Sequence, residues 1–197
     1  VAFDCPDGNL VSNDRNRNYD VFVRDLGSNV TELVSASHPA LVSVTPNGIS
    51  SASVLAVNGD GRLIAFMSDA DNLVANDTNQ LRDVFVRDLV AGTNLLVSVA
   101  LNGATSGNSI STDPAISSDG RFVVFSSSAS DLVAGDTNQA QDVFVRGLAS
   151  RTTTLVSVAT NGTSPGNADS SLPVIGADGR YVLFRSRATN LAKGTGS

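Results

Sequence analysis

Apolar and polar residues alternate along this chain in short runs, and the runs come back at fixed intervals. Val1-Ala-Phe3, Ile64-Ala-Phe66, Val123-Val-Phe125 and Val182-Leu-Phe184 form one set; Asp20-Val-Phe-Val-Arg-Asp-Leu26, Asp83-Val-Phe-Val-Arg-Asp-Leu89 and Asp142-Val-Phe-Val-Arg-Gly-Leu148 form another. Each run is rich in β-branched and aromatic residues and is bounded by Gly, Asp, Asn or Ser. That is the pattern of a strand; a helix would repeat its apolar positions every three to four residues. A third phrase keeps step with them, as Asp60-Gly61-Arg62, Asp119-Gly120-Arg121 and Asp178-Gly179-Arg180, spaced 59 residues apart. The first Asp-Val-Phe-Val interval is 63 residues, because about four extra positions fall within residues 35–57, between strands.

Four strands are predicted in each unit. Calling them A to D, strand B is Phe122-Val-Val-Phe125, strand C is Val143-Phe-Val145 and strand D is Thr153-Thr-Leu-Val-Ser-Val158 in the best-defined copy. A weaker strand A precedes each Asp-Gly turn, at residues Val54 to Val57, Pro114 to Ser117 and Pro173 to Gly176. Four short antiparallel strands per repeat, with no helical period between them, predict an all-β fold of β-propeller blades. The chain reads as a single propeller segment with about three repeats of 59–63 residues plus a partial fourth: 1–63, 64–122, 123–181 and 182–197. Antiparallel alternation puts the tight A–B and C–D turns on one face. The long B–C connections (Ser126 to Gln141) and D–A connections (Ala159 to Leu172) then emerge on the opposite face, the better candidate for function.

The Ser117-Ser-Asp-Gly-Arg121 turn followed by Asp142-Val-Phe-Val145 resembles the TolB-type bacterial propeller repeat, and the resemblance covers nearly the whole chain. The turns at Asn58-Gly-Asp-Gly-Arg62 and Ala177-Asp-Gly-Arg180 lack the leading serine of that repeat. The resemblance implies a bacterial envelope or secreted protein, periplasmic or extracellular. Members of the wider group serve as periplasmic protein-interaction platforms, and related propellers gate access to peptidase domains. The expectation is therefore a non-catalytic binding or scaffolding module with a protein partner on its long-loop face. The alternative is an accessory domain of a larger hydrolase or peptidase whose catalytic residues lie elsewhere. A propeller needs about four blades to close. Either this is part of a longer propeller, or two copies form a homodimer completing a six-bladed ring.

Composition removes several classes of function. Charged residues are 16% with a net charge of -6, and twelve Arg accompany a single Lys, so no basic field draws in nucleic acid. No apolar run approaches the roughly 20 residues of a membrane span. Cys5 is the single cysteine and His38 the single histidine, which leaves no internal disulfide, no cysteine-based zinc site and thin support for a Ser-His-Asp triad. No catalytic residue is assigned, and the expectation is that the chain is not an enzyme. All eight Phe fall in strands B or C, so the loop face has Tyr19 alone as an aromatic, which disfavours a sugar or single-strand site built on stacking.

One element carries a specific chemistry. Asp-x-Asn-x-x-x-Asp stands before each strand C, as Asp14, Asn16, Asp20; Asp77, Asn79, Asp83; and Asp136, Asn138, Asp142. Oxygen donors at relative positions 1, 3 and 7 match the opening of a calcium loop, though the glycine at position 6 of an EF-hand is missing. Two readings stand side by side: calcium held by these nine residues, or Asp and Asn capping the turn by accepting backbone N–H bonds. Arg24, Arg87 and Arg146, on the Phe face of strand C, are expected in an inter-blade ion pair or on carbonyls, with their stems packed on the next sheet.

Overall fold

The computed structural model describes residues 1–12, 14, 16–40, 45–53 and 56–192. Thirteen strands and no helix are found among them. Strands β1 (Ala2–Cys5), β2 (Asp20–Arg24) and β3 (Thr31–Leu33) form the first sheet. The second contains β4 (Ser50–Ser51), β5 (Leu63–Ser68), β6 (Asp83–Asp88) and β7 (Thr93–Leu96), and the third β8 (Ser111–Ile116), β9 (Phe122–Ser127), β10 (Asp142–Gly147) and β11 (Thr152–Leu155). Strands β12 (Ser170–Ile175) and β13 (Val182–Ser186) make the last. Every pairing joins sequence neighbours in antiparallel register, so these are the blades of an all-β propeller fold, two of them four-stranded and the first and last with three and two strands.

Period-two alternation decides how the blades stack. On strands B and C the phenylalanines sit directly opposite one another, as Phe3 with Phe22, Phe66 with Phe85 and Phe125 with Phe144, with ring centroids 5.6–5.8 Å apart. The residues between them point the other way. Thus Val21 and Val23 of the first sheet, with Val34 just beyond it, pack against Phe66 and Phe85 of the second. In turn Ala65, Val84, Val86 and Val97 of the second pack against Phe125 and Phe144 of the third. Each blade presents aliphatic residues to the next blade and an aromatic pair to the previous one. Such a pair adds about 1 kcal/mol beyond its buried area.

Strand A differs from its sequence-predicted position. The ladder begins at Ser111 and Ser170, before the prolines, and slips between Thr112 and Ala115 and between Ser171 and Val174. The slip is a β-bulge in which Asp113 and Leu172 take positive φ (53° and 55°). Pro114 and Pro173 follow; lacking an N–H, proline suits a bulge rather than a continuous ladder. Of the segment 54–57, residues 54 and 55 lie outside the described residues, and Val57 makes an isolated bridge to Ile64. Strand D also ends sooner than predicted, at Leu155. Ser157 leaves it to point a hydroxyl into the blade.

The A–B turns follow simple rules. Asp60, Asp119 and Asp178 accept the N–H two residues on, at 2.9–3.0 Å, and Gly61, Gly120 and Gly179 take φ of 70–77°, which favours glycine. Consecutive turns are joined directly, through Gly59 N–H to the Ser118 carbonyl (2.7 Å) and Asp119 N–H to the Ala177 carbonyl (3.2 Å).

Candidate functional site

On the opposite face the D–A loop folds into a miniature hairpin. Val99 bridges Ser106, Ala100 N–H donates to the Thr105 carbonyl, and Asn102 Oδ1 accepts the Ala104 N–H at 2.8 Å; Val158, Pro165 and Asn161 repeat the arrangement. This hairpin is wedged between two B–C loops. Towards its own blade, Ser106 Oγ accepts Thr78 N–H and the Gly107 carbonyl accepts Asn79 Nδ2 (2.7 Å). Towards the next, Leu101 N–H donates to the Asp131 carbonyl and Asn108 N–H to Asp131 Oδ1. Gly107 has no room for a side chain: a Cβ there would meet Leu132 Cδ2 at 2.8 Å and Ala129 Cβ at 3.0 Å.

The same bonds locate the extra positions of the first interval. His38 N–H donates to the Asn72 carbonyl as Leu101 does to Asp131, and Asn47 N–H to Asn72 Oδ1 as Asn108 does to Asp131. His38 therefore occupies a regular framework position rather than an insertion. The D–A loop is two residues longer after it, and the other two extra positions follow β4.

The Asp-x-Asn-x-x-x-Asp residues meet at the root of these loops. The second Asp of each set is fully buried at the start of strand C. One oxygen accepts a hydroxyl from Ser35, Ser98 or Ser157 (2.8, 2.5 and 2.5 Å), and that hydroxyl in turn accepts the next N–H of the strand. The other oxygen accepts Asn79 Nδ2 (2.8 Å) in Asp83 and Asn138 Nδ2 (2.6 Å) in Asp142. The asparagines are latches. Each Oδ1 accepts the N–H two residues on (Asn18, Leu81 and Ala140), and each amide donates to a D–A loop carbonyl, of Pro46, Gly107 and Gly166. Asn16, Asn79 and Asn138 thus have the geometry of the turn-capping reading.

The first Asp of each set is different. Asp14 and Asp77 are 6% exposed, and neither oxygen of either meets a donor in hydrogen-bonding geometry; Asp20 Oδ2 is likewise buried without a partner. The Ser106 hydroxyl and the Asn79 backbone N–H lie beside Asp77 and soften its isolation without closing a hydrogen bond. Asp136 is 8% exposed. In each set the two carboxylates feel each other's charge. Burial pushes Asp20 up to about 6, with the Asp14 charge adding to it against the bond from Ser35 and the nearby Asn16 side chain. Burial, with Asp77 and Asp131 nearby, pushes Asp83 up to about 7 despite Ser98 and Asn79. Asp136 is raised to about 6 by burial and then by Asp142; Asp77 and Asp142 are raised, burial again leading. Two carboxylates out of water favour whatever removes their charge, a shared proton or a bound cation.

Among the described residues no cluster of three or more His, Cys, Asp or Glu is found. Each loop brings together two carboxylates, so further ligands to a cation would be backbone carbonyls and water. Arg24, Arg87 and Arg146 bond within their own blades, to Thr31 Oγ1 (2.8 Å), Asn94 Oδ1 (3.4 Å) and Thr153 Oγ1 (2.8 Å) on strand D. The expected carbonyl contacts are replaced by side chains one strand away; an inter-blade component survives in the pull of Glu32 on Arg87. The thiol of Cys5 is free and partly buried. Sequence reasoning missed the serine latches and Gly107, although Val-Ser recurs at Ser35, Ser98 and Ser157 in every unit.

No protein-family model matches the sequence, and no curated protein matches it. In structure the chain is similar to the putative TolB from Agrobacterium tumefaciens, at 13% identity, over 89% of this chain and 48% of that one, with a TM-score of 0.53. It is also similar to the tricorn protease, at 15% identity, over 86% of this chain and 13% of that one, with a TM-score of 0.51. The chain spans less than half the length of either. The likeness establishes a β-propeller fold of the TolB type.

Proposed function

We propose that this chain is a non-catalytic binding and scaffolding module of a bacterial envelope or secreted protein, which engages a protein partner through its loop face. One observation supports this reading above others: equivalent positions on that face sit in the same rigid frame but carry different chemistry. Ser50 N–H donates to the Tyr19 carbonyl, Ser111 N–H to Arg82 and Ser170 N–H to Gln141, so the residues beside them are held alike in each blade. Yet the pairs read Tyr19 with Ile49, Arg82 with Ile110, and Gln141 with Asp169. The surface grades from apolar to polar across three blades, with Tyr19 48%, Ile49 45% and Ile110 43% exposed. A framework that repeats while its exposed positions vary is what a recognition surface on a fixed scaffold requires.

A photo-crosslinking residue at position 19 or 49, compared with one at position 90 on the turn face, tests this in cells of the source organism. The expected result is a discrete protein adduct from positions 19 and 49 that is lost with Ile110→Asp. Equal labelling from all three positions, or none, would overturn it.

A second reading follows from the likeness to the tricorn protease: an accessory propeller of a larger hydrolase. An α/β-hydrolase or protease region in the same open reading frame would favour it over the scaffold.

A further inference from the structure

The B–C loops hold charge that their own hydrogen bonds leave uncompensated. Asp77 is nine-tenths buried, both of its oxygens are without a partner, and it faces Asp83, whose two oxygens are already occupied by Ser98 and Asn79. Asp14 repeats this opposite Asp20, and there a third oxygen, Asp20 Oδ2, is also buried and unpartnered. A buried carboxylate without donors costs several kcal/mol unless something cationic compensates it. Arg82, next to Asp83 in sequence, does not compensate the second loop: it is committed to Asp69 through two bonds of 2.7 Å.

We propose that these loops bind a hard divalent cation, calcium, through Asp14 and Asp20 in the first loop and Asp77 and Asp83 in the second; Asp136 and Asp142 are the corresponding pair of the third loop. The donors are all oxygen, which suits calcium and leaves zinc and copper without the nitrogen or sulfur they favour. Calcium also accepts six to eight ligands in irregular geometry, so carbonyls and water can complete two carboxylates, whereas magnesium demands a near-ideal octahedron. The asparagines are not ligands in this assignment. Asn79 and Asn138 fix the orientation of the second carboxylate and tie the loop to the neighbouring hairpin, the task of a supporting shell around a metal. Two carboxylates per loop place the affinity at the weak end, about 10⁻⁴–10⁻³ M, the range of extracellular modules. The inference goes beyond the binding role proposed above and does not depend on it.

The test is calorimetric titration of calcium chloride into the chelator-stripped full chain, with thermal unfolding in parallel. Saturable binding of one to three ions is expected, with a melting temperature at 10 mM calcium raised by about 2–4 °C or more over sodium chloride of matched ionic strength. Asp77→Asn should remove one ion while raising the melting temperature of the stripped protein, because it discharges the loop at nearly constant shape. A merely structural Asp77 would leave the stoichiometry unchanged. Terbium, which occupies calcium's oxygen sites, gives an independent readout: Tyr19 adjoins Asp20 and the chain has no Trp. Terbium emission excited through tyrosine should appear, be displaced by calcium, and vanish in Asp14→Asn with Tyr19 retained. No saturable heat, equal melting with and without calcium, or terbium emission indifferent to Asp14→Asn would overturn the proposal.

Discussion

Aspartates on the two faces of this molecule have opposite fortunes. On the turn face Asp119 accepts the Ser117 hydroxyl, the Arg121 N–H and the Arg121 guanidinium, and is held down to about 2, the Ser117 bond leading. Asp88 is also lowered to about 2, chiefly by its bonds from Arg62. These carboxylates remain near water and have more donors than they need. On the loop face Asp20, Asp83 and Asp136 are buried among other carboxylates and rise to about 6 or 7. Asp119 completes a local turn within a few residues of its donors, and Asp88 accepts the nearby Val90 and Ala91 N–H groups while pairing with Arg62 on the adjacent strand's turn. Loop-face aspartates join elements far apart in sequence, and that junction concentrates negative charge.

The largest expected effect is on pH dependence. A carboxyl whose pKa rises on folding makes the folded chain bind more protons than the unfolded chain. Its favourable contribution is therefore complete below about pH 4 and lost as pH climbs through 6 to 7. For Asp83 the shift corresponds to about 4 kcal/mol. Asp88 and Asp119 act in the opposite sense, stabilising above about pH 4 and losing that contribution as pH falls towards 2. Chelator-stripped protein should then be most stable between about pH 4 and 6, as measured by urea unfolding across the range. A profile rising steadily to pH 8 would erase the contrast between the faces.

Next in size is Asn79→Ala. It strips the amide from Asp83 and the Gly107 carbonyl and an acceptor from the Leu81 N–H, and should cost about 2–4 kcal/mol by urea denaturation. Gly107→Ala should cost about 1–3 kcal/mol, because its Cβ forces Leu132 and Ala129 aside. Arg62→Gln, on the turn face, breaks a pair with Asp88 in which the arginine side chain is half exposed, and should cost under about 1 kcal/mol. If Arg62→Gln proved as damaging as Asn79→Ala, both faces would be equally structural.

Legibility in the sequence followed the range of the interactions. Strands B and C were plain because Phe-Val alternation is a local signal and its cause, stacking between adjacent blades, is the same in every unit. The Asp-Gly-Arg turns were plain because acceptor, glycine and donor lie within three residues. Strand A was misplaced because it begins with serines, whose β preference is slight, and is anchored by paired hydroxyls: Ser50 with Ser68, Ser111 with Ser127 and Ser170 with Ser186, each at 2.9 Å. The Asp-x-Asn-x-x-x-Asp loops were visible as chemistry. The division of labour within them was not, since it depends on Ser98, fifteen residues beyond Asp83, and on a carbonyl 28 residues from Asn79.

Those serine pairs also mark where the chain could be respliced. Ser111 and Ser170 start successive blades in the same register, each faces the equivalent serine of strand B, and each donates its N–H to the carbonyl before strand C of the preceding blade. Joining Ile110 directly to Ser170 would excise one whole period and leave every remaining strand beside a neighbour of the kind it already has; duplicating the stretch would add one. Because each blade touches only the blades on either side, length is a variable the architecture leaves free. An evolving gene could change the circumference of such a protein by unequal exchange between its repeats, without inventing a single new contact.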